Sequence, residues 1–212
     1  MVVSSQERRD FDKEAATWDE DPGRAKLAND VADAIIRAVK PAPDMDALDL
    51  GCGTGLLTLR LQPLVRTILG VDSSRGMLAV LEAKARVQGL PNVQARFVDL
   101  EKGEELEGEF HLVVSSMALH HVPDTAALFK RLHALTRPGG VLAVADLDEE
   151  DGSFHSDNTG VAHFGFDRVR LKGLLEQAGF HASRDTTAAT VVKEIAGQGR
   201  REFPVFLITG TR

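Results

Sequence analysis

Apolar residues fall into two alternating rhythms along the chain. Short, nearly continuous apolar runs at 47–50, 67–71, 93–98, 110–115 and 141–147 read as buried strands. Between them the spacing is helical: Leu27, Val31, Ala34, Ile35 and Ala38 within 24–39, and Met77, Leu78, Val80, Leu81 and Ala85 within 74–88. Further helices are expected at 124–135, stopped by Arg137, Pro138, Gly139 and Gly140, and at 167–178, stopped by Gly179. Strand and helix alternate without a break, which predicts an α/β fold: a mostly parallel sheet with helices on both faces. Two later apolar runs, 187–192 and 203–209, joined through Gly197, Gln198 and Gly199, predict an antiparallel C-terminal hairpin. At the other end, Phe11, Ala15, Ala16 and Trp18 sit among charges and predict one short amphipathic helix closed by Pro22 and Gly23. Residues 148–166 break the rhythm, and a loop of that length is functional or mobile.

The segment from Leu48 to Gly55 is where chemistry is most legible. A short strand runs into glycine at every second position, Gly51, Gly53 and Gly55, and then into a helical stretch at 56–61. Glycine lets backbone turn tightly and lie against a ligand, and a helix start places amides over the same spot. This is the pattern of a nucleotide-binding crevice. Its G-x-G-x-G spacing departs from the G-x-G-x-x-G of dinucleotide folds, which counts against a nicotinamide-dependent oxidoreductase. Asp49, just before the glycines, would repel a pyrophosphate but suits a cationic ammonium or a bound water. Asp72 follows the second strand about twenty residues after the glycines, where a carboxylate can accept both hydroxyls of a ribose. Asp99 ends the third.

In combination these residues, over roughly 45–148, resemble the class I S-adenosylmethionine-dependent methyltransferases that act on small molecules. The resemblance implies a Rossmann-like, seven-stranded sheet, with S-adenosylmethionine as methyl donor and S-adenosylhomocysteine as product. It places the adenine amine on Asp99 with a backbone contact at Leu100, Ser73 beside the ribose, and Ser115 along the methionine end. Met77 would cover the adenine, although its spacing suits a core position equally. The resemblance also implies one domain overall. Residues 1–40 would form an N-terminal helical lid segment, and 41–212 the cofactor-binding domain with an insertion at 148–166. Within that lid Trp18 would cover the cofactor; the alternative is an anchor tying the segment to the core.

Methyl transfer from a sulfonium is an in-line displacement that releases a neutral thioether, so alignment does most of the work. A base is needed only where the acceptor must lose a proton. The candidates are His120 and His121, whose Ala118-to-Val122 context resembles a post-strand motif of these enzymes, together with Asp146, His155 and His163. Packing is the alternative role for the adjacent pair, and because consecutive side chains point apart, at most one of them is expected to face the substrate. A metal held by Asp146, Asp148, His155 and His163 lacks any compact ligand spacing, so none is expected. Cys52 reads as a small side chain in a crowded turn rather than a nucleophile.

Thirty-two acidic against 25 basic residues give a net charge of −7, which argues against a nucleic-acid partner and for a small-molecule methyl acceptor. The basic groups Arg168, Arg170, Lys172, Arg200 and Arg201 read as solvated positions. A single cysteine fits a reducing cytoplasm, the polar start of the chain does not resemble a signal peptide, and no apolar run approaches membrane-spanning length. The competing reading is a catalytically silent protein that binds the cofactor or its product as a regulatory or partner subunit. Acceptor identity has no transferable motif.

Overall fold

The structure is a computed structural model, and it describes residues 9–99 and 104–212. Seven strands form one sheet in the order β3-β2-β1-β4-β5-β7-β6. Five are parallel: β1 (Asp46–Leu50), β2 (Thr67–Asp72), β3 (Val93–Phe97), β4 (Phe110–Ser116) and β5 (Thr136–Leu147). β7 (Gly199–Thr211) runs antiparallel to β5, and β6 (His181–Ile195) antiparallel to β7. The chain reverses its direction of travel across the sheet at β1, which is flanked by β2 and β4. Leu50 pairs with both Val71 and Ser115, so the carboxyl ends of three strands open together into the crevice where such sheets bind ligands.

Helices α2 (Pro22–Val39) and α3 (Leu56–Leu61) cover one face, where Val31, Ile35 and Leu61 pack on Ala47, Ile68 and Leu112. Helices α5 (Thr125–Leu135) and α6 (Arg168–Gln177) cover the other, where Phe129, Leu132 and Leu175 meet Leu48, Val113 and Val144. Adjacent strand residues such as Ala47 and Leu48 thus serve opposite cores, as strand alternation requires. Helix α4 (Arg75–Gln88) packs Leu78 and Leu81 beside Cys52. Side-chain caps start four of these helices: Asp21 on the Gly23 amide, Ser74 on Met77, Asp124 on Ala127 and Asp167 on Arg170. Each contributes ~1 kcal/mol.

The structure differs from the sequence reading at both ends. The N-terminal segment is one short turn, α1 (Phe11–Glu14), continued as a tighter 3-10 helix over Ala15–Glu20. Pro22 and Gly23 do not close it; they open α2, because proline's fixed φ and missing N–H suit a first helical turn. Strand β5 begins at Thr136 rather than 141, so the proline-glycine stretch lies inside the strand at a register shift against β4. The closing strands run over 15 and 13 residues, well beyond the apolar runs that signal them. Much of β6 is polar because it is an edge strand facing solvent, and polar alternation carries little signal. The 148–166 segment forms neither helix nor strand of its own, yet Phe154 is buried in the core, and the Ala162 and His163 amides donate to the His120 carbonyl.

Candidate active site

A cavity of about 650 Å³ opens at the carboxyl ends of the strands, within the ~300–1,000 Å³ usual for small-molecule sites. The three glycines do different work there. A Cβ on Gly51 would come within 2.4 Å of the Ala118 Cβ, and one on Gly55 within 2.3 Å of Leu81, so these two permit close packing. Gly53, at φ +53°, faces open space with nothing within 4 Å. Its amide donates to Asp72 Oδ2 at 2.8 Å, and the Ser74 amide to Oδ1 at 2.9 Å. The Asp72 carboxylate is thereby fixed at the cavity wall, each oxygen keeping a lone pair for a further donor. Burial raises its pKa, against the pull of those amides.

Asp49 lies behind the glycine turn, 1% exposed, and accepts the Thr58 hydroxyl at 2.6 Å. Burial, with Asp72 nearby, lifts its pKa to about 7, so a cation arriving in the cavity would draw it into its charged form. Asp99, Met77, Ser73 and Ser115 also line the cavity. The Ser115 hydroxyl donates to the Leu50 carbonyl at 2.9 Å, and the Asp99 amide to Glu104 at 2.8 Å. Leu100 lies outside the described residues. Burial holds the Cys52 thiol well above its usual pKa, in its unreactive form.

Past β4 the wall changes. The 3-10 turn Leu119–His121 presents both histidines to the cavity, with ring centroids 4.2 Å apart. The expectation that consecutive side chains diverge fails here. Successive residues of a 3-10 turn differ by roughly 120°, not the strand's 180°, and each ring is held by its own acceptor. His120 Nδ1 meets Asp146 Oδ1 at 2.8 Å while its backbone amide donates to Oδ2 at 3.1 Å. His121 Nδ1 donates to the Gly160 carbonyl at 2.8 Å. Asp146 is fully buried on β5. Burial alone would raise its carboxyl pKa, but the His120 ring, the His120 amide and the Leu147 amide together hold it low. An ionised Asp146 fixes the proton on His120 Nδ1 and leaves Nε2 as acceptor.

His155, from the 148–166 segment, completes the group, 4.9 Å from the His120 ring. Burial lowers both His121 and His155 to about 4, so both are neutral near pH 7. The Nδ1 of His155 is buried without a hydrogen-bond partner. Asp148 and His163 are engaged elsewhere, Asp148 with Arg168 at 2.6 Å and His163 with the Val122 carbonyl at 3.0 Å. Among the described residues no group of three or more His, Cys, Asp or Glu side chains is placed to hold a metal ion.

The N-terminal segment crosses the cavity and is fastened on both sides. Asp12 accepts from the Ser74 hydroxyl at 2.5 Å and the Gly76 amide at 2.7 Å. Asp19 accepts the Thr54 hydroxyl at 2.6 Å and pairs with Lys84. Phe11 stands edge-on to Trp18 and to His121, at 5.9 and 5.3 Å, and Arg24 stacks 3.7 Å over Trp18. Trp18, Arg9, Arg24 and Lys193 all line the cavity. The sequence reading missed the three cations, and it took Asp146 and His155 separately as candidate bases. None carries a local signal, since His120 and Asp146 lie 26 residues apart and Lys193 sits on a polar edge strand.

A parallel sheet reversing at β1, a glycine turn with one open glycine, and a carboxylate fixed at the cavity wall after β2 make up a Rossmann-like fold with a ligand crevice at its strand ends. Residues 47–140 match the protein family described as methyltransferase domain. The chain is 38% identical over 151 residues to the trans-aconitate 2-methyltransferase of Deinococcus radiodurans, covering 69% of this chain and 56% of that one. It is also 38% identical over 135 residues to an uncharacterised methyltransferase of Schizosaccharomyces pombe, covering 57% and 48%. It therefore spans about half the length of the curated relatives it matches. Among solved structures, the methyltransferase in complex with the Trm112 methyltransferase activator of Haloferax volcanii superposes with a TM-score of 0.77 at 17% identity, covering 96% of this chain and 98% of that one. The DhpI complex with S-adenosylhomocysteine gives 0.72 at 21%, covering 95% and 92%. Residues 47–140 thus carry a methyltransferase domain on the fold of the class I enzymes, whose cofactor is S-adenosylmethionine. No helix among the described residues is long and apolar enough to cross a membrane.

Proposed function

We propose that the protein transfers a methyl group from S-adenosylmethionine to a small-molecule acceptor, with His120 taking the acceptor's proton. The observation that carries this reading is the buried His120–Asp146 pair, set in the wall of the same cavity as Gly53 and Asp72. A protein that only binds the cofactor has no need of a histidine whose tautomer is fixed by a buried carboxylate.

In this reading Asp72 receives the ribose hydroxyls, with Ser73 beside it. Asp99, Leu100 and Met77 hold the adenine, and Asp49, Gly51, Gly53, Gly55 and Ser115 line the path of the methionine portion. Two observations fit that cofactor: the open space at Gly53, and a carboxyl at Asp49 ready to ionise beside a cation. When bound, S-adenosylmethionine supplies an electrophilic methyl group on a sulfonium, whose sulfur keeps the bonding pair as the thioether leaves. An acceptor O–H or N–H held against His120 loses its proton to Nε2 as its lone pair meets the methyl carbon, and Asp146 offsets the charge that develops on the ring. His121 shapes the same wall as a neutral ring. Phe11 and Trp18 close the cavity from above and exclude water, and the ties of Asp12 and Asp19 make this segment a lid over the cofactor. We place the activity in the cytoplasm, on the evidence of a single buried cysteine.

The test is turnover: S-adenosylhomocysteine formation measured across a panel of small hydroxyl and amine acceptors, with trans-aconitate, for which a relative is named, as the already deprotonated acceptor whose turnover His120→Gln should spare. Formation with at least one acceptor, abolished in His120→Gln while S-adenosylhomocysteine still binds, supports the reading. Tight cofactor binding with no turnover on any acceptor returns the silent-binder alternative.

A further inference from the structure

We propose that the methyl acceptor carries a carboxylate, and that Lys193, with Arg24 beside it, is the anchor that receives it. This rests on the reading of the cavity as a methyltransferase site.

The sheet order sorts the charges of the cavity. Going from β3 to β1, the strand ends contribute Asp99, Asp72 and Asp49; beyond β4 the wall holds histidines, and β6, at the far edge, contributes Lys193, while Asp21, the lining carboxylate on that side, is engaged by the Gly23 amide and Arg24. The ammonium of Lys193 is half-buried in the cavity wall, 3.9 Å over the Phe154 ring. Of its three N–H donors one has a partner, the Phe154 carbonyl at 2.6 Å. No carboxylate among the described residues lies within ion-pair distance of it. A half-buried ammonium with two donors unused and no carboxylate in ion-pair contact is stabilised when an anion joins it.

The neighbouring cations divide by how well they are already paired. Arg9 is held twice by Glu14, at 2.6 Å from both Nε and Nη2, and is satisfied. Arg24 donates to the Trp18 carbonyl at 3.2 Å and stacks on the Trp18 ring, but its ion pairs are long, 3.9 Å to Glu14 and 3.6 Å to Asp21. Burial lowers the Lys193 pKa, with Arg24 and Arg9 adding to it and Asp21 and Glu150 opposing from a distance. An incoming carboxylate relieves that shift.

The distances also place the anchor relative to the chemistry. Phe154, on which Lys193 rests, packs 4.8 Å from His155, whose ring lies 4.9 Å from His120. Lys193 and His120 are thus linked along the cavity wall through two ring contacts, Phe154 and His155. An acceptor lying along those rings has its nucleophilic O–H or N–H at His120 and its carboxylate at Lys193. Acceptors that are neutral or cationic at the anchored end lack this handle.

The experiment is calorimetric titration of the protein saturated with S-adenosylhomocysteine, using matched pairs: 4-hydroxybenzoate against 4-hydroxybenzamide, and glutarate against glutaramide. The expected result is a carboxylate preference of about tenfold or more in at least one pair, lost in Lys193→Met and regained in part in Lys193→Arg. Lys193 is on an edge strand, and S-adenosylhomocysteine affinity, unchanged in both variants, reports that they are folded. Equal binding of acid and amide, or a preference that survives in Lys193→Met, overturns the proposal. So does loss of S-adenosylhomocysteine affinity in Lys193→Met, which would assign the cation to the cofactor. Failure of the unmodified protein to bind S-adenosylhomocysteine would instead overturn the methyltransferase reading beneath it.

Discussion

From β3 to β6 the cavity passes from the carboxylates at the strand ends to three histidines and then to Lys193, and its two halves are built in different ways. The acidic half is assembled from strand ends and the residues just after them. Asp49, Gly53 and Asp72 lie within 24 residues of one another, and backbone amides hold the key carboxylate in place. The histidine half is assembled across long separations: His120 with Asp146, His121 with Gly160, Phe11 with His121, Lys193 with Phe154. A half fixed by local backbone geometry suits a cofactor shared by many enzymes. A half fixed by distant contacts can be refitted to a new acceptor without disturbing the first.

The sharpest way to break this division is to damage one half and read both. Substituting His120→Gln should cut kcat by roughly 10²–10⁴-fold, the usual worth of a general base, while S-adenosylhomocysteine affinity stays within about twofold. Loss of both together would mean that the halves are not independent. Next in size, Asp72→Ala should weaken S-adenosylhomocysteine binding by on the order of 1.5–3 kcal/mol, or about 10- to 150-fold, if both ribose bonds go to the charged carboxylate. Titration calorimetry measures this, and unchanged affinity would remove the ribose assignment.

The halves should also respond to pH in opposite senses. The folded pKa of Asp49 is raised to about 7, so its contribution to stability is complete below about pH 4 and lost as pH rises through 7. Cofactor binding, which favours its ionised form, should tighten by up to roughly tenfold between pH 6 and 8, with proton release, and Asp49→Asn should flatten that profile. His121 and His155 are depressed to about 4, so their contribution is complete above about pH 6.5 and lost as pH falls through 4. Denaturant unfolding between pH 4 and 7 should give a shallower acid decline in His121→Phe than in the unmodified protein. The smallest effect is expected at the lid: Trp18→Ala should speed S-adenosylhomocysteine release by about three- to tenfold. A lower melting temperature with unchanged release would make Trp18 an anchor instead.

The same division explains what the sequence disclosed. Gly51, Gly53, Gly55 and Asp72 were legible because strand, turn and helix follow directly in the chain, although the contacts that occupy them, Gly51 with Ala118, Gly55 with Leu81 and Gly53 with Asp72, are made between elements. The parallel sheet was legible for the same reason, since continuous apolar strands such as 110–115 leave few alternatives. Asp146 was visible as a candidate base but not as the partner of His120, because β4 and β5 become neighbours only once the sheet forms. The true lengths of β6 and β7 were hidden by solvent-facing polar residues, and with them the place of Lys193 in the cavity wall. Pro22 misled because a proline marks the first turn of a helix as readily as a break.

The most direct test of a cavity divided between cofactor and acceptor is a crystal structure of the protein grown with S-adenosylhomocysteine. The account predicts ribose hydroxyls on Asp72, adenine beside Asp99, the sulfur directed towards His120, and the space between His155 and Lys193 left free of cofactor atoms. Adenosine lying against the histidines, or the product carboxylate bound at Lys193, would contradict it.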